Sequence, residues 1–197
     1  MRSSNMKYLF LTVLLSGFAI TTPRALAQDD YLCGYIINNE HDTIHGMIKD
    51  RNEFPLRKYS KIRFIDRRGK KKKLGPGDIR GYVRGSMHYE TRWYDGKERF
   101  LRPVVKGWVS YYQYEYAINS DDGSSIEAEK LLQRFGENNF YEVEFLWFRK
   151  RMIDYFSDCP EIVVKLQNKE YRFRDLEKLV ADYNRIMLAR KAVSPPK

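Results

Sequence analysis

His41-Asp42-Thr43-Ile44-His45 is the segment whose residue types come nearest to metal chemistry. On a helix, two histidines at i and i+4 share a face and hold one zinc, with an acid between them as general base. Asp42 stands where a glutamate, one methylene longer, would reach the bound water. Thr43 and Ile44 are β-branched and Gly46 follows, a composition that favours a strand. On a strand, His41 and His45 would lie about 13 Å apart at ~3.3 Å per residue, too far to share one ion. His88 is the remaining imidazole of the three. A small hydrolase using His41, Asp42 and His45, with or without metal, is therefore an alternative and not the leading expectation.

Other catalytic patterns are weaker still. Gly85-Ser86-Met87 and Gly123-Ser124-Ser125 lack the second glycine of a nucleophile elbow. A cysteine nucleophile would need a free thiol beside a histidine. Glu142 and Glu144 alternate onto one strand face and read as solvated acids rather than a glycosidase pair. Neither G-x-G-x-x-G nor G-x-x-x-x-G-K occurs, so no nucleotide cradle and no cofactor is expected.

Binding chemistry is better represented. Arg67, Arg68, Lys70, Lys71, Lys72 and Lys73 surround Gly69, and Arg57, Lys58, Lys61 and Arg63 precede them. Such a run repels itself, so it either sits in solvent, blunting a strand edge, or meets an anion. Near an anionic membrane each cation would contribute ~1 kcal/mol, weakened by salt. The second candidate is the aromatic series Trp108, Tyr112, Tyr114 and Tyr116, ending at Ile118 on one face of a strand, with Tyr111 opposite. Flat phenols with polar tips stack on sugars or grip an extended peptide, and they also make ordinary core. This series offers a glycan- or peptide-binding module as a further alternative.

The partners of such groups depend on compartment. Arg2 and Lys7 form a positive start, Tyr8–Ile20 an apolar stretch, and Ala25-Leu26-Ala27 a small-residue cleavage pattern. The apolar stretch is shorter than the ~20 residues that span a bilayer. These features predict a signal peptide over 1–27, cleavage near Ala27/Gln28, and a secreted or periplasmic protein with no transmembrane span. Removing 1–27 takes three cations and no acid from a chain of net charge +10, which stays clearly basic. The expected partners are anionic envelope components (lipid headgroups, lipopolysaccharide, acidic glycans) or another envelope protein, with no nucleic acid. Export would also let Cys33 and Cys159 pair, which in the chain-entropy model stabilises by roughly 4–5 kcal/mol for so long a loop.

The elements that must position these groups follow from composition and periodicity. The 197 residues are 43% hydrophobic, 15% aromatic and 31% charged, which describes a folding chain and excludes disordered and collagenous classes. Two cysteines exclude a four-thiolate zinc site. From 31 to 118, short alternating runs are separated by turn residues such as Asn39-Glu40-His41-Asp42, Gly75-Pro76-Gly77-Asp78 and Asp95-Gly96. After the polar break at 119–125, Ile126, Leu131, Leu132 and Phe135 fit a short helix closed by Gly136. Phe145, Phe148, Met152 and Phe156 recur at helical spacing, and Asp158-Cys159-Pro160-Glu161 resembles a capping box. Leu176, Leu179, Val180, Tyr183, Ile186 and Met187 form the clearest helical stripe. The sequence thus predicts an α+β fold in one domain over 28–191. Its first part, 31–118, reads as an antiparallel β-barrel or sandwich of short strands. Its second, 126–191, reads as mostly helical, followed by a disordered tail at 192–197.

Several of these segments also form a pattern. Gly34-Tyr35-Ile36, Asp42-Thr43-Ile44-His45-Gly46-Met47-Ile48 and Asp78-Ile79-Arg80-Gly81-Tyr82 stand in the first half. Tyr155-Phe156-Ser157-Asp158-Cys159-Pro160-Glu161 and Tyr183-Asn184 stand in the second. Together they resemble secreted proteins of unknown function of the kind found in Bacteroidetes-type bacteria. The resemblance implies an exported, envelope-associated protein with a β-rich body and a helical C-terminus, and it carries over no site residues. The leading expectation is accordingly an exported, non-catalytic envelope protein that binds or scaffolds, with a basic loop for anionic surfaces.

Overall fold

Alternating side chains and punctuating turns build a long antiparallel sheet. In the computed structural model, which describes residues 31–51, 60–120 and 123–193, the strands begin with β1 (Tyr31–Ile37), β2 (Thr43–Lys49), β3 (Ile62–Asp66) and β4 (Lys71–Leu74). They continue with β5 (Gly81–Arg84), β6 (Met87–Tyr94), β7 (Lys97–Val105), β8 (Val109–Ser120), β9 (Gly123–Arg134) and β10 (Tyr141–Glu142). Helices α1 (Phe148–Tyr155), α2 (Pro160–Gln167) and α3 (Leu176–Val193) follow. The segment 1–27, Arg57, Lys58 and residues 194–197 lie outside the described residues.

The strand order is β10-β9-β8-β7-β6-β5-β1-β2-β3-β4, a meander broken only where β1 inserts between β5 and β2. The sheet does not close into the barrel or sandwich the sequence predicts: β10 and β4 end it as edges. β4 is a four-residue strand whose three lysines are exposed, the charged, abbreviated form in which sheet edges resist further pairing. Asp95 and Gly96 both take positive φ, 50° and 73°, as a two-residue hairpin turn between β6 and β7 requires. Gly34 of β1 faces Gly46 of β2. A Cβ on Gly34 would stand 1.9 Å from the Val83 carbonyl oxygen, so β5 and β1 approach only because that side chain is missing.

Two hydrophobic clusters occupy successive parts of the sheet. Ile36, Ile48, Ile62, Phe64, Ile79, Tyr82, Tyr89 and Phe100 pack where β1–β3 and β5–β7 meet. Val109, Tyr111, Leu132 and Val143 pack instead against α1–α3 through Met152, Phe156, Leu166, Leu179 and Tyr183. Between them, Arg51 is only 2% exposed and ties the end of β2 to β8. Its guanidinium donates to Glu115 at 2.5 Å and pairs with Asp50 at 3.4 Å. The Tyr89 hydroxyl donates to Glu115 and the Tyr82 hydroxyl to Asp50, each at 3.0 Å. Burial pushes the Tyr82 phenol well above its usual range, so these groups stay protonated donors.

Three local expectations are corrected. Residues 126–134 are not a helix but most of β9, with Phe135 in the turn that follows, and the strand places Leu131 and Leu132 on opposite faces, both fully buried. Leu132 joins the helix-packed core and Leu131 joins Leu101 and Tyr112 on the reverse face, so simple alternation is lost. Asp158 does not cap α2, because its carboxylate is taken by Arg134 at 3.1 Å. Cys33 and Cys159 do not pair: both are free, the first exposed on β1 and the second buried at the start of α2. α3 runs to Val193, two residues into the segment expected as a tail.

Candidate functional site

A wide concavity forms where the β7–β8 turn, the end of β9 and the outer turns of α3 converge. Gly107 allows that convergence. A Cβ there would lie 2.5 Å from the Asn184 side chain, and Asn184 is the residue that docks α3. Its amide nitrogen donates to the Val109 carbonyl at 2.8 Å and its amide oxygen accepts from the Val109 N–H at 2.9 Å. One side chain thereby satisfies both backbone groups at the start of β8, an arrangement worth more than a single surface hydrogen bond.

Beneath this clamp lies a second fastening. Arg134, at the end of β9, donates to Asp158 and to the Tyr183 hydroxyl, both at 3.1 Å, and to the Tyr155 carbonyl. Tyr183 donates in turn to Asp158 at 2.6 Å. Burial alone would raise the Asp158 carboxyl, but the Arg134 and Tyr183 hydrogen bonds outweigh it and hold it below its ordinary value. Burial and the bond to Asp158 push Tyr183 up to about 12. Arg134 is thus a structural cation, already saturated by its partners.

The groove above has a volume of about 960 Å³. Arg92, Lys106, Arg134, Arg185 and Lys191 line it against a single acid, Glu137. Its apolar wall is Trp108, Phe135 and Leu188, which are 36%, 78% and 64% exposed. The indole stands edge-on to Phe135 at 5.9 Å, and the Lys191 ammonium lies 5.3 Å from its ring centre. Lys191 has no carboxylate partner among the described residues.

Tyr112 sets the polar end. It is 1% exposed, and its hydroxyl accepts from Lys106 at 2.7 Å and from Arg92 at 2.8 Å. Both lone pairs are then occupied, and the phenol's own proton has no acceptor among the described residues. Lys106 and Arg92 share one carboxylate, Glu90, at 2.8 and 3.3 Å. Two cations against one acid, beside an undonated O–H, make a subsite for an anionic oxygen.

The structure distributes the sequence-predicted residues among separate places. Trp108 and Tyr112 meet in this groove. Tyr114 and Tyr116 stack on each other at 5.7 Å in a smaller concavity with Tyr94, Arg99 and Glu129, so the four aromatics are not one platform. Arg67, Arg68 and Lys70 make the β3–β4 turn, and Lys71, Lys72 and Lys73 lie on β4, at the far edge of the sheet from β10. That turn is pinned by Asp66, whose carboxylate accepts from the N–H groups of Lys70 and Arg68, each at 2.9 Å. The bond from Lys70 is the main reason its pKa is lowered. His41 takes a left-handed turn conformation with φ 71°, Asp42 is bonded to Asn38, and His45 packs edge-on to Tyr35 at 5.6 Å. No cluster of three metal-ligating side chains exists among the described residues.

Arg92, Lys106, Phe135 and Lys191 are the groove residues the sequence did not single out. They come from β6, the β7–β8 turn, the turn after β9 and α3, and no local spacing connects them. No family model, curated protein or solved structure matches this chain.

Proposed function

We propose that this protein is an exported, non-catalytic binding module of the cell envelope, and that its groove holds an acidic glycan. The observation that carries the reading is the unspent Tyr112 proton beside Lys106 and Arg92, in the same groove as an accessible indole, Trp108. A sugar carboxylate would accept from Tyr112, Lys106 and Arg92, while its ring stacks on Trp108. The export part rests on Arg2, Lys7, the apolar run Tyr8–Ile20 and Ala25-Leu26-Ala27. No helix among the described residues is long and apolar enough to cross a membrane.

The test uses the chain with Trp93 and Trp147 replaced by Phe, leaving Trp108 as reporter. Titration with oligogalacturonate quenches its fluorescence, and Tyr112→Phe, which removes one oxygen from a preserved ring, weakens binding about tenfold. Neutral oligosaccharides of the same length give no response. Equal affinity for Tyr112→Phe, or for neutral sugars, refutes the assignment.

A second reading applies to the β3–β4 hairpin. None of Arg67, Arg68, Lys70, Lys71, Lys72 and Lys73 has a carboxylate within ion-pair distance among the described residues, so the hairpin serves as a salt-sensitive contact to polyanionic surface.

A further inference from the structure

The loop between β10 and α1 carries a run of exposed large apolar side chains. Phe145, Leu146 and Trp147 are consecutive and 73%, 68% and 74% exposed. They are held out and not merely loose. Trp147 caps α1 in the left-handed region, φ 61°, a conformation costly for a bulky side chain. Phe145 leans edge-on against Phe173 at 5.6 Å, and Phe148, buried behind the tip, meets the same ring at 5.7 Å.

Cations surround this tip. Arg149, Lys150, Lys169 and Arg172 are exposed and border an open groove of about 730 Å³ together with Phe145 and Trp147. None of the four has a carboxylate partner among the described residues, and Asp154 is the one acid on the groove wall. Two neighbouring acids are paired with other cations: Glu144 with Arg151 at 2.9 Å, and Asp175 with Arg174 at 3.9 Å.

We infer that this loop is a membrane-docking tip that inserts Phe145, Leu146 and Trp147 into the interface of an anionic phospholipid bilayer. Indole and phenyl rings favour the headgroup level of a bilayer, and a protruding tip of three apolar side chains suits a fluid surface. A stable protein partner needs ~800 Å² per side from some 20–30 residues, far more than the tip offers. Arg149, Lys150, Lys169 and Arg172 then meet the phosphates around it, which selects anionic lipid over neutral. The tip is separate from the glycan groove, and at the opposite end of the sheet order from the basic hairpin on β3–β4.

The experiment is co-sedimentation of the mature chain with vesicles of phosphatidylglycerol and phosphatidylcholine, beside pure phosphatidylcholine. Trp147 emission, in a chain with Trp93 and Trp108 replaced by Phe, shifts blue with anionic vesicles and is quenched by lipids brominated near the headgroup. Leu146→Asp with Trp147→Asp lowers the partition coefficient about tenfold or more, and Arg149→Gln with Lys150→Gln lowers it less and weakens its salt dependence. All four positions are exposed, so circular dichroism and thermal unfolding stay as in the parent chain. Oligogalacturonate binding is also unchanged, which separates this inference from the groove assignment. Undiminished binding by the aspartate variant overturns the proposal, as does binding abolished only by Lys70–Lys73→Gln. A concentration-dependent dimer lost in the aspartate variant, without lipid binding in the parent, would assign the tip to a second copy and overturn it equally.

Discussion

The two ends of the sheet solve the problem of a half-covered surface differently. Around β1–β6 no helix among the described residues lies on the core of Ile48, Phe64, Tyr82 and Tyr89, and the strands close over it themselves, with Arg51 as a buried ionic strut reaching to Glu115. Around β8–β9 three helices cover the face, and Asn184 and Arg134 fasten them. The first region buries its core between strands and ends at the three exposed lysines of β4. The second meets its helices imperfectly and leaves a groove. The groove with the exposed indole forms where α3 meets the β7–β8 turn and the end of β9, whereas the concavity of Tyr94, Tyr114 and Tyr116 is built by strands alone.

Breaking each fastening should therefore have opposite signatures. Arg51→Met carries the largest expected effect, roughly 3–5 kcal/mol of lost stability, because the buried cation nearest Asp50 and Glu115 is removed and Arg102, at 3.6 Å, is the more distant cation left beside Glu115. Chemical denaturation reads the loss, and Arg51→Met combined with Glu115→Gln recovers part of it. The groove lies elsewhere, so oligogalacturonate affinity stays within about twofold of the parent. An unchanged denaturation midpoint would show that the strut contributes nothing.

Asn184→Ala is the reverse case. It strands the Val109 N–H and C=O, costs about 1–3 kcal/mol, and shifts α3 relative to Trp108. Its signature is a groove affinity that falls more steeply than stability does. Loss of stability with intact affinity would separate the clamp from the site.

The smallest effect comes from the phenols, and it is read as a decline of stability on the alkaline side. Tyr183 is raised to about 12 by burial and by its bond to Asp158, against an ordinary value near 10. A raised pKa stabilises fully below the unfolded value and is lost as pH rises through the folded one, so stability falls between pH ~10 and 12. Tyr183→Phe flattens that decline in a pH series of thermal unfolding. On the acid side the depressed Asp158 acts oppositely, its stabilisation present above the ordinary carboxylate range and lost as pH drops below it.

Much of the framework was legible. Thr43–Lys49 and Met87–Tyr94 follow from alternation, the β6–β7 turn from Asp95-Gly96, and α3 from its leucine and valine spacing. β9 was misread because both its faces are buried at Leu131 and Leu132, which erases the period-two signal that identifies a strand. Half of the site was legible in the same sense. Trp108 and Tyr112 stood out as aromatics, but Tyr114 and Tyr116 share their face without sharing their groove.

Local chemistry, namely propensity, turn type and the concentration of cations at 67–73, is written in neighbouring residues, and the sequence by itself determined it. Which aromatics meet, which cations are saturated and which thiols stay apart depended on contacts such as Asn184 with Val109 and Arg134 with Asp158, made across long loops. Those contacts follow from how the sheet and helices pack as bodies, and only the tertiary structure decided them.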